Sequence, residues 1–262
     1  MGDEGWCGGT EVTAEPSGFA GQRALVTGGA RGIGAVIARR LAAAGAHVFV
    51  NYVRSESAAR DTVAAIEAAG GRATLAPANL ADPDAIAAMM APIADGGLDV
   101  LVHNAAIGSF KPLHAVRANQ WDLTLNVNAR ALLLCVQAAL PSLAERGGRV
   151  VAISSLGGRR VVPQYGAIGV AKAALESAAR YLASELGPRG IRVNAIAAGL
   201  VETESVMLHP AYDELVAAAR ARTPTGRLVT ADSIADAVLF LCGPQSSDIV
   251  GHTLVIDGGS SL

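Results

Sequence analysis

The chain has 262 residues, 51% of them hydrophobic and 17% charged, enough apolar material for one sizeable α/β domain with several buried layers. Its formal net charge is −2 and its basic residues are spread without a run, which argues against a nucleic-acid footprint or a polybasic membrane patch. The three cysteines, Cys7, Cys135 and Cys242, are widely separated and read as reduced thiols of a cytoplasmic protein, not as a disulfide frame or a zinc site.

Residues 1–19 carry Asp3, Glu4, Glu11 and Glu15 among glycines, with neither a cationic start nor an apolar stretch. They match neither a secretion signal nor a transit peptide, and they are expected to be a flexible tail ahead of one domain over residues 20–262. Short β-branched runs then predict seven buried strands: Ala24–Thr27, His47–Val50, Ala73–Ala76, Val100–His103, Arg149–Ser154, Arg192–Ile196 and Thr253–Ile256. Segments of helical period alternate with them, at Gly34–Ala44, Ser57–Ala69, Pro83–Ile93, Trp121–Glu145, Gly169–Leu186 and Ala231–Leu241. Strand and helix in turn predict an α/β fold, a single doubly wound Rossmann-type domain with a seven-stranded parallel sheet flanked by helices. The longest apolar stretch, Ala131–Val136 and its flanks, is interrupted by Gln137 and reads as too short to cross a bilayer, so the protein is expected to be soluble.

The first crossover carries chemistry. Thr27-Gly28-Gly29-Ala30-Arg31-Gly32-Ile33-Gly34 follows a strand and opens a helix, so small residues let the backbone approach a pyrophosphate while helix N–H groups point at it. A tight turn without a ligand would look the same in isolation; the placement between strand and helix favours a dinucleotide. At the end of the second strand, where NAD-binding proteins offer a carboxylate to the ribose 2′-hydroxyl, the chain reads Asn51-Tyr52-Val53-Arg54-Ser55 and has no acid. Arg54, and Arg31 from the glycine turn, suit a 2′-phosphate, so NADPH is expected over NADH; the alternative is two solvated surface arginines.

With these motifs in order, the chain from residue 20 onward resembles the short-chain dehydrogenase/reductases. Further matches are His103-Asn104-Ala105-Ala106 for the family's motif after the fourth strand, Asn128 for its mid-helix Asn, Ser155 for its active-site Ser and Lys172 for its Lys. The resemblance implies coenzyme contacts from Gly28, Ala30, Arg31, Ile33, Gly34, Arg54, Ser55, Asn79, Leu80, Asn104, Ala105, Ala106, Lys172, Gly199, Val201 and Thr203, with Asn79-Leu80 at the adenine and Thr203 at the nicotinamide carboxamide. It implies a water-holding kink at Asn128. The ending Gly251–Gly259 is similar to the family's last strand, which implies a homo-oligomer, a dimer or tetramer.

One departure separates this chain from the commoner relatives. Ile168 stands four residues before Lys172, where the family usually has its tyrosine, and Tyr165 stands seven before it. Both spacings return to nearly the same helix face, but three residues displace the phenol roughly 4.5 Å along the axis, provided the helix includes that turn. Tyr165-x6-Lys172 is the spacing of the enoyl-thioester reductase branch. The similarity there extends through Ser154-Ser155-Leu156-Gly157, Val170 to Glu176 and Arg222 to Arg227, and it is greatest to the NADPH-dependent enoyl-acyl-carrier-protein reductase III type.

Chemistry points the same way. In conjugate reduction of an α,β-unsaturated thioester, hydride reaches the β-carbon while negative charge gathers on an oxygen two bonds further away, so a phenol drawn back from the usual position suits the reaction. Tyr165 is then expected to stabilise the enolate, Lys172 to hold the ribose and lower the phenolic pKa, Ser155 to supply a second hydrogen bond or a simple turn, and Asn128 to kink the helix or bridge it structurally. His103 reads as a packed or adenosine-side residue in preference to a catalytic one, and no two histidines have metal-ligand spacing, so no metal is expected. Residues 200–227, with Met207, Leu208, Pro210 and Tyr212, read as a substrate lid or as an amphipathic helix packed on a sister subunit. Three functions are compatible: an enoyl reductase acting on acyl-carrier-protein or CoA thioesters, a ketone or quinone reductase of specialised, polyketide-like metabolism, and a non-catalytic NADP-binding sensor.

Overall fold

The computed structural model describes residues 18–262. Of the expected tail, residues 1–17 and with them Cys7 lie outside the described residues. Phe19 does not behave as tail: its side chain is buried and its N–H donates to the Ala44 carbonyl at 3.3 Å, so the domain begins ahead of residue 20.

Strands β1 (Arg23–Thr27), β2 (His47–Tyr52), β3 (Arg72–Pro77), β4 (Val100–His103), β5 (Arg149–Ser155), β6 (Arg192–Ala198) and β7 (Thr253–Ile256) form one parallel sheet in the order β3-β2-β1-β4-β5-β6-β7. The helices are α1 (Gly32–Ala43), α2 (Glu56–Ala68), α3 (Pro83–Asp95), α4 (Ala118–Leu125), α5 (Ala131–Arg146), α6 (Gly166–Leu186), α7 (Glu204–Met207), α8 (Tyr212–Arg222) and α9 (Ala231–Cys242). Because side chains alternate across a strand, Leu25 and Leu101 face α3, α5 and α6, packing with Met90, Leu132 and Leu175. Val26 and Val102 face α1 and α9, packing with Ile37, Leu41 and Val238. Burying each such side chain stabilises the fold by about 1.5–3 kcal/mol, and both layers need it, which is why the inner strands β1 and β4 are buried almost end to end while the edge strand β3 is half exposed.

Local signals set the helix ends. Asp82 caps α3 by accepting from the N–H groups of Asp84 (2.9 Å) and Ala85 (3.4 Å), with Pro83 at the first helical position. Gly147 stops α5 in the left-handed region at φ 58°.

Two sequence expectations need correction here. First, α4, a π-helical turn over Asn126–Arg130 and α5 run on as one helix, Ala118–Arg146, long and apolar enough by length and composition to cross a membrane. In the fold its apolar face packs on the sheet as a core helix, through Leu132, Cys135, Val136, Ala139 and Leu143. Second, α6 begins at Gly166, and Tyr165 is the residue that precedes it, at φ −104° and ψ 8°. The helix therefore does not include the turn on which a 4.5 Å axial shift of the phenol depends.

The chain reverses its direction of sheet growth between β3 and β4, leaving β1 with β2 on one side and β4 on the other. A crevice at the carboxyl ends of β1 and β4 is the usual ligand position in such a sheet. Thr27, Asn51, His103, Ser155 and Ala198 all lie at that edge.

Candidate active site

The glycine turn is fastened to three strands. The Asn104 amide nitrogen donates to the carbonyls of Thr27 (3.1 Å) and Gly28 (3.0 Å), and the Thr27 hydroxyl oxygen accepts the N–H groups of Asn104 and Ala105, both at 3.0 Å. From the other side Asn51 accepts the Gly28 N–H at 3.1 Å while its own amide donates to the Ala76 and Ala78 carbonyls. Thr62 of α2 donates to the Ala30 carbonyl at 3.0 Å. Gly28 has φ +61°, and a Cβ there would lie 2.9 Å from the Ala105 Cα; a Cβ on Gly34 would strike the Gly28 carbonyl oxygen and the Asn104 amide. The turn is thus held against the sheet with α1 opening from it, and no side chain caps that helix end. An N-terminus with open N–H groups behind a glycine turn fits a pyrophosphate.

Around it the expected coenzyme residues divide. Arg31 is exposed, and its guanidinium pairs with Glu204 at 3.0 Å. Arg54 is exposed on the bend after β2, and Ser55 precedes α2. Ile33 is half-buried and Ala30 and Val201 are buried in the adjoining core. Asn79 accepts the Ala81 N–H on its side-chain amide oxygen at 3.1 Å, and the Leu80 side chain is buried in the core, whereas Ala106 is exposed. Gly199 is pressed against Asp257, where a Cβ would meet the Cα at 2.9 Å. Thr203 precedes α7 and stands over Gly32, its methyl 3.6 Å from where a Cβ would sit. A cleft of about 390 Å3 beside the turn is lined by Arg31, Gly32, Arg39, Asp61 and Thr203 among others.

At the other side of the crevice are Ser155, Tyr165 and Lys172. The Tyr165 ring lies over Gly157, where a Cβ would be 2.5 Å from its edge, and stacks on Phe110 with ring centres 6.2 Å apart. Burial pushes the phenol pKa up, and a hydrogen bond with Ser155 acts in the opposite direction. The expected lowering by Lys172 is therefore not what the geometry gives: burial dominates and the opposing partner is Ser155. Lys172 points inward, donating to the Ile153 carbonyl at 2.6 Å, and burial lowers its pKa to about 8, with Glu176 opposing the shift. Glu176 is itself buried, held by Ser154 (2.6 Å) and Arg159 (2.8 Å). Ile168 is buried against Gly108, so the position four before Lys172 is filled by apolar packing.

Asn128 lies in the π-helical turn and is wholly buried, its amide donating to the carbonyls of Ile107 (2.6 Å) and Thr124 (2.8 Å). Its backbone carbonyl is 3.2 Å from His103 Nε2, and His103 Nδ1 is 3.3 Å from the Thr27 hydroxyl. Since that hydroxyl already accepts two N–H groups, its proton goes to Nδ1, and Nε2 carries the ring proton toward Asn128. His103 is fully buried and stays neutral: burial first, and the nearby Lys172 charge second, bring its pKa down to about 4. Cys135 and Cys242 are buried thiols with pKa pushed up to about 12. Among the described residues no group of three His, Cys, Asp or Glu side chains is placed to hold a metal.

A family profile described as Enoyl-(Acyl carrier protein) reductase matches residues 28–261. The chain belongs to the short-chain dehydrogenase/reductase family. It is 37% identical to a 1-cyclohexenylcarbonyl-CoA reductase of Streptomyces collinus, over 92% of this chain and 87% of that protein. It is 35% identical to the 3-oxoacyl-(acyl-carrier-protein) reductase FabG of Staphylococcus aureus strain Mu50, over 90% of this chain and 96% of that one. Among solved structures, a short chain dehydrogenase from Burkholderia cenocepacia J2315 in complex with NADP superposes with a TM-score of 0.87 at 42% identity, covering 93% of this chain and 99% of that one. As a member of this family the chain is an NAD(P)-dependent oxidoreductase.

Several residues of this reductase site escaped the sequence reading. Asn51 was noticed only as a missing acid, although a buried amide at a strand end signals a structural clip. Phe110 and His209, which complete the wall beside Tyr165, carry no local signal, since only the fold brings 110, 165 and 209 together.

Proposed function

We propose that this chain is an NADPH-dependent reductase of the α,β double bond of an acyl thioester carried on coenzyme A or acyl-carrier protein. The observation that carries the reading is where the one tyrosine ring of this region lies: Tyr165 sits over Gly157, two residues after Ser155, while Ile168 fills the usual tyrosine position and packs on Gly108. The name of the Streptomyces collinus relative, a reductase of an unsaturated acyl-CoA, supports it.

NADPH supplies hydride to the β-carbon when bound. The turn amides from Gly28 to Gly34 and the start of α1 would hold its pyrophosphate, Arg31 and Arg54 its 2′-phosphate, Asn79 its adenine, and Thr203 its carboxamide. Lys172 would hold the ribose, exchanging the Ile153 carbonyl for it. Tyr165, protonated at neutral pH as any phenol is and the more so for its burial, donates a hydrogen bond to the thioester oxygen, where charge develops, and Ser155 donates a second. The α-carbon takes its proton from Tyr165 or from solvent.

Ketone reduction is the second reading, and one observation favours it: the Staphylococcus aureus relative is named a 3-oxoacyl reductase, an enzyme of a ketone group. The assay follows loss of reduced-nicotinamide absorbance with crotonyl-CoA, butyryl-CoA, acetoacetyl-CoA and a ketone panel. Oxidation with crotonyl-CoA and none with butyryl-CoA is expected. Turnover of acetoacetyl-CoA or ketones alone transfers the assignment to the second reading, and binding of NADPH without turnover of any of them to a sensor.

A further inference from the structure

From the last residue of α7 toward α8 the chain passes Met207, Leu208, His209 and Pro210. Met207 and Leu208 are 56% and 78% exposed, whereas His209 is 4% exposed, so the polar residue of this apolar link is the one turned inward. Its ring meets Phe110 edge-on, with centres 4.8 Å apart, and Phe110 in turn stacks on Tyr165. Both ring nitrogens are engaged. The Ala211 N–H donates to Nδ1 at 3.0 Å, so the ring proton is on Nε2, which donates to the Pro163 carbonyl at 3.1 Å.

Pro163 is two residues from Tyr165, and the residue between them is the one place among the described residues where a side chain other than glycine sits in the left-handed region, Gln164 at φ 58°. Such a conformation is strained for a residue with a side chain and persists only where neighbours over-determine it. Here they do so from two sides. The Lys111 N–H donates to the Gln164 carbonyl at 2.9 Å, and His209 takes the carbonyl just ahead of it. The first restraint comes from the segment after β4, the second from the stretch between α7 and α8.

We propose that His209 is a positioning residue for Tyr165: through its bond to the Pro163 carbonyl, closure of the 204–222 segment locks the strained turn that aims the phenol. This rests on the reading of Tyr165 as the group that meets the thioester oxygen. The acid is then in place only while the segment is down, which ties substrate enclosure to turnover. His209 itself touches no reacting atom in this scheme.

The test compares three variants of the full-length enzyme with NADPH and crotonyl-CoA. His209→Phe keeps an aromatic edge against Phe110 but has no donor, whereas His209→Gln has a donor that reaches a similar place. The expected result is a fall in kcat of about tenfold or more in His209→Phe, unchanged NADPH affinity by fluorescence titration, and recovery of most of kcat in His209→Gln. Amide hydrogen exchange over residues 162–166 is expected to quicken in His209→Phe and not in His209→Gln, a readout that requires no turnover and that a general loss of packing would spread over the whole domain. Unchanged kcat and exchange in His209→Phe, a defect confined to NADPH affinity, or no recovery in His209→Gln overturns the proposal. Tyr165→Phe is the control that separates the two levels: if it turns over normally, the functional reading falls as well, whereas an inactive Tyr165→Phe beside a fully active His209→Phe removes only the role of His209.

Discussion

Around the glycine turn, the ends of β1, β2 and β4 are tied together by two side-chain amides, Asn51 buried and Asn104 half-buried, and one hydroxyl, so the coenzyme half is shaped by the sheet itself. Around Tyr165 the framework is different: a short turn over Leu156–Gly158, the strained Gln164, and a segment of the chain 40 residues further on, with Phe110 and His209 as the contacts. The first half is built before any ligand arrives, because its geometry depends only on strand register. The second is assembled from pieces that do not share an element. Substitutions in the first half should therefore be felt in stability and coenzyme affinity, and those in the second in turnover.

The largest expected effect lies in the second half. Tyr165→Phe removes the donor and leaves the ring, so kcat with an enoyl thioester should fall by about 10²- to 10⁴-fold while NADPH affinity, measured by fluorescence titration, stays near that of the parent. A variant that loses NADPH affinity instead would place the phenol in the coenzyme half and dissolve the contrast.

His103 joins the two halves, reaching Thr27 on one side and Asn128 on the other, and its effect is on stability against pH. Its folded pKa of about 4 is below the unfolded value of about 6.5, so between these values the unfolded chain binds a proton that the folded one does not. Stability from this group is full above pH about 6.5 and declines as pH falls toward 4, by up to about 3 kcal/mol. Thermal or urea unfolding between those pH values should show this slope in the parent and a flatter one in His103→Asn; equal slopes would mean that His103 is not the group responsible.

Gly34→Ala tests the coenzyme half directly. The added methyl meets the Gly28 carbonyl and the Asn104 amide, neither of which can move without loosening the strand ends they tie. A loss of roughly 1–3 kcal/mol in unfolding free energy, with weaker NADPH binding, is expected by denaturant titration and fluorescence. A variant that keeps full stability and binds normally would show that the turn is softer than its contacts imply.

The same contrast governs what was legible in the sequence. The seven strands, their alternation with helices and the glycine turn follow from local patterns, short β-branched runs and small residues between strand and helix, and these survive in one dimension, whereas the order of strands in the sheet does not. The clip at Asn51 was half legible: the strand runs two residues beyond Val50, and a polar residue near its end had to be satisfied by something. Tyr165 was found from its spacing to Lys172, but its conformation was not, since α6 starts one residue later and Gln164 adopts a conformation that no propensity for Gln suggests. His209 and Phe110 were missed because contacts 55 and 99 residues apart along the chain leave no periodic trace.

The smallest expected effect lies where the halves touch. Arg31 and Glu204 form an exposed ion pair, with side chains 56% and 72% accessible, between the glycine turn and the first residue of α7. If Arg31 serves a 2′-phosphate, binding must take it from Glu204, so the carboxylate competes with the coenzyme. An exposed pair of this kind is worth about 0–1 kcal/mol, which bounds the gain: Glu204→Gln should tighten NADPH by at most about fivefold and NADH by less, because NADH lacks the phosphate. The Debye length is about 10 Å at 0.1 M and shortens as salt is added, so the advantage should shrink as ionic strength rises. Equal tightening of NADPH and NADH at every salt concentration would mean that Glu204 acts through the mobility of α7 and not through Arg31, and the two halves would then be coupled by backbone instead of charge.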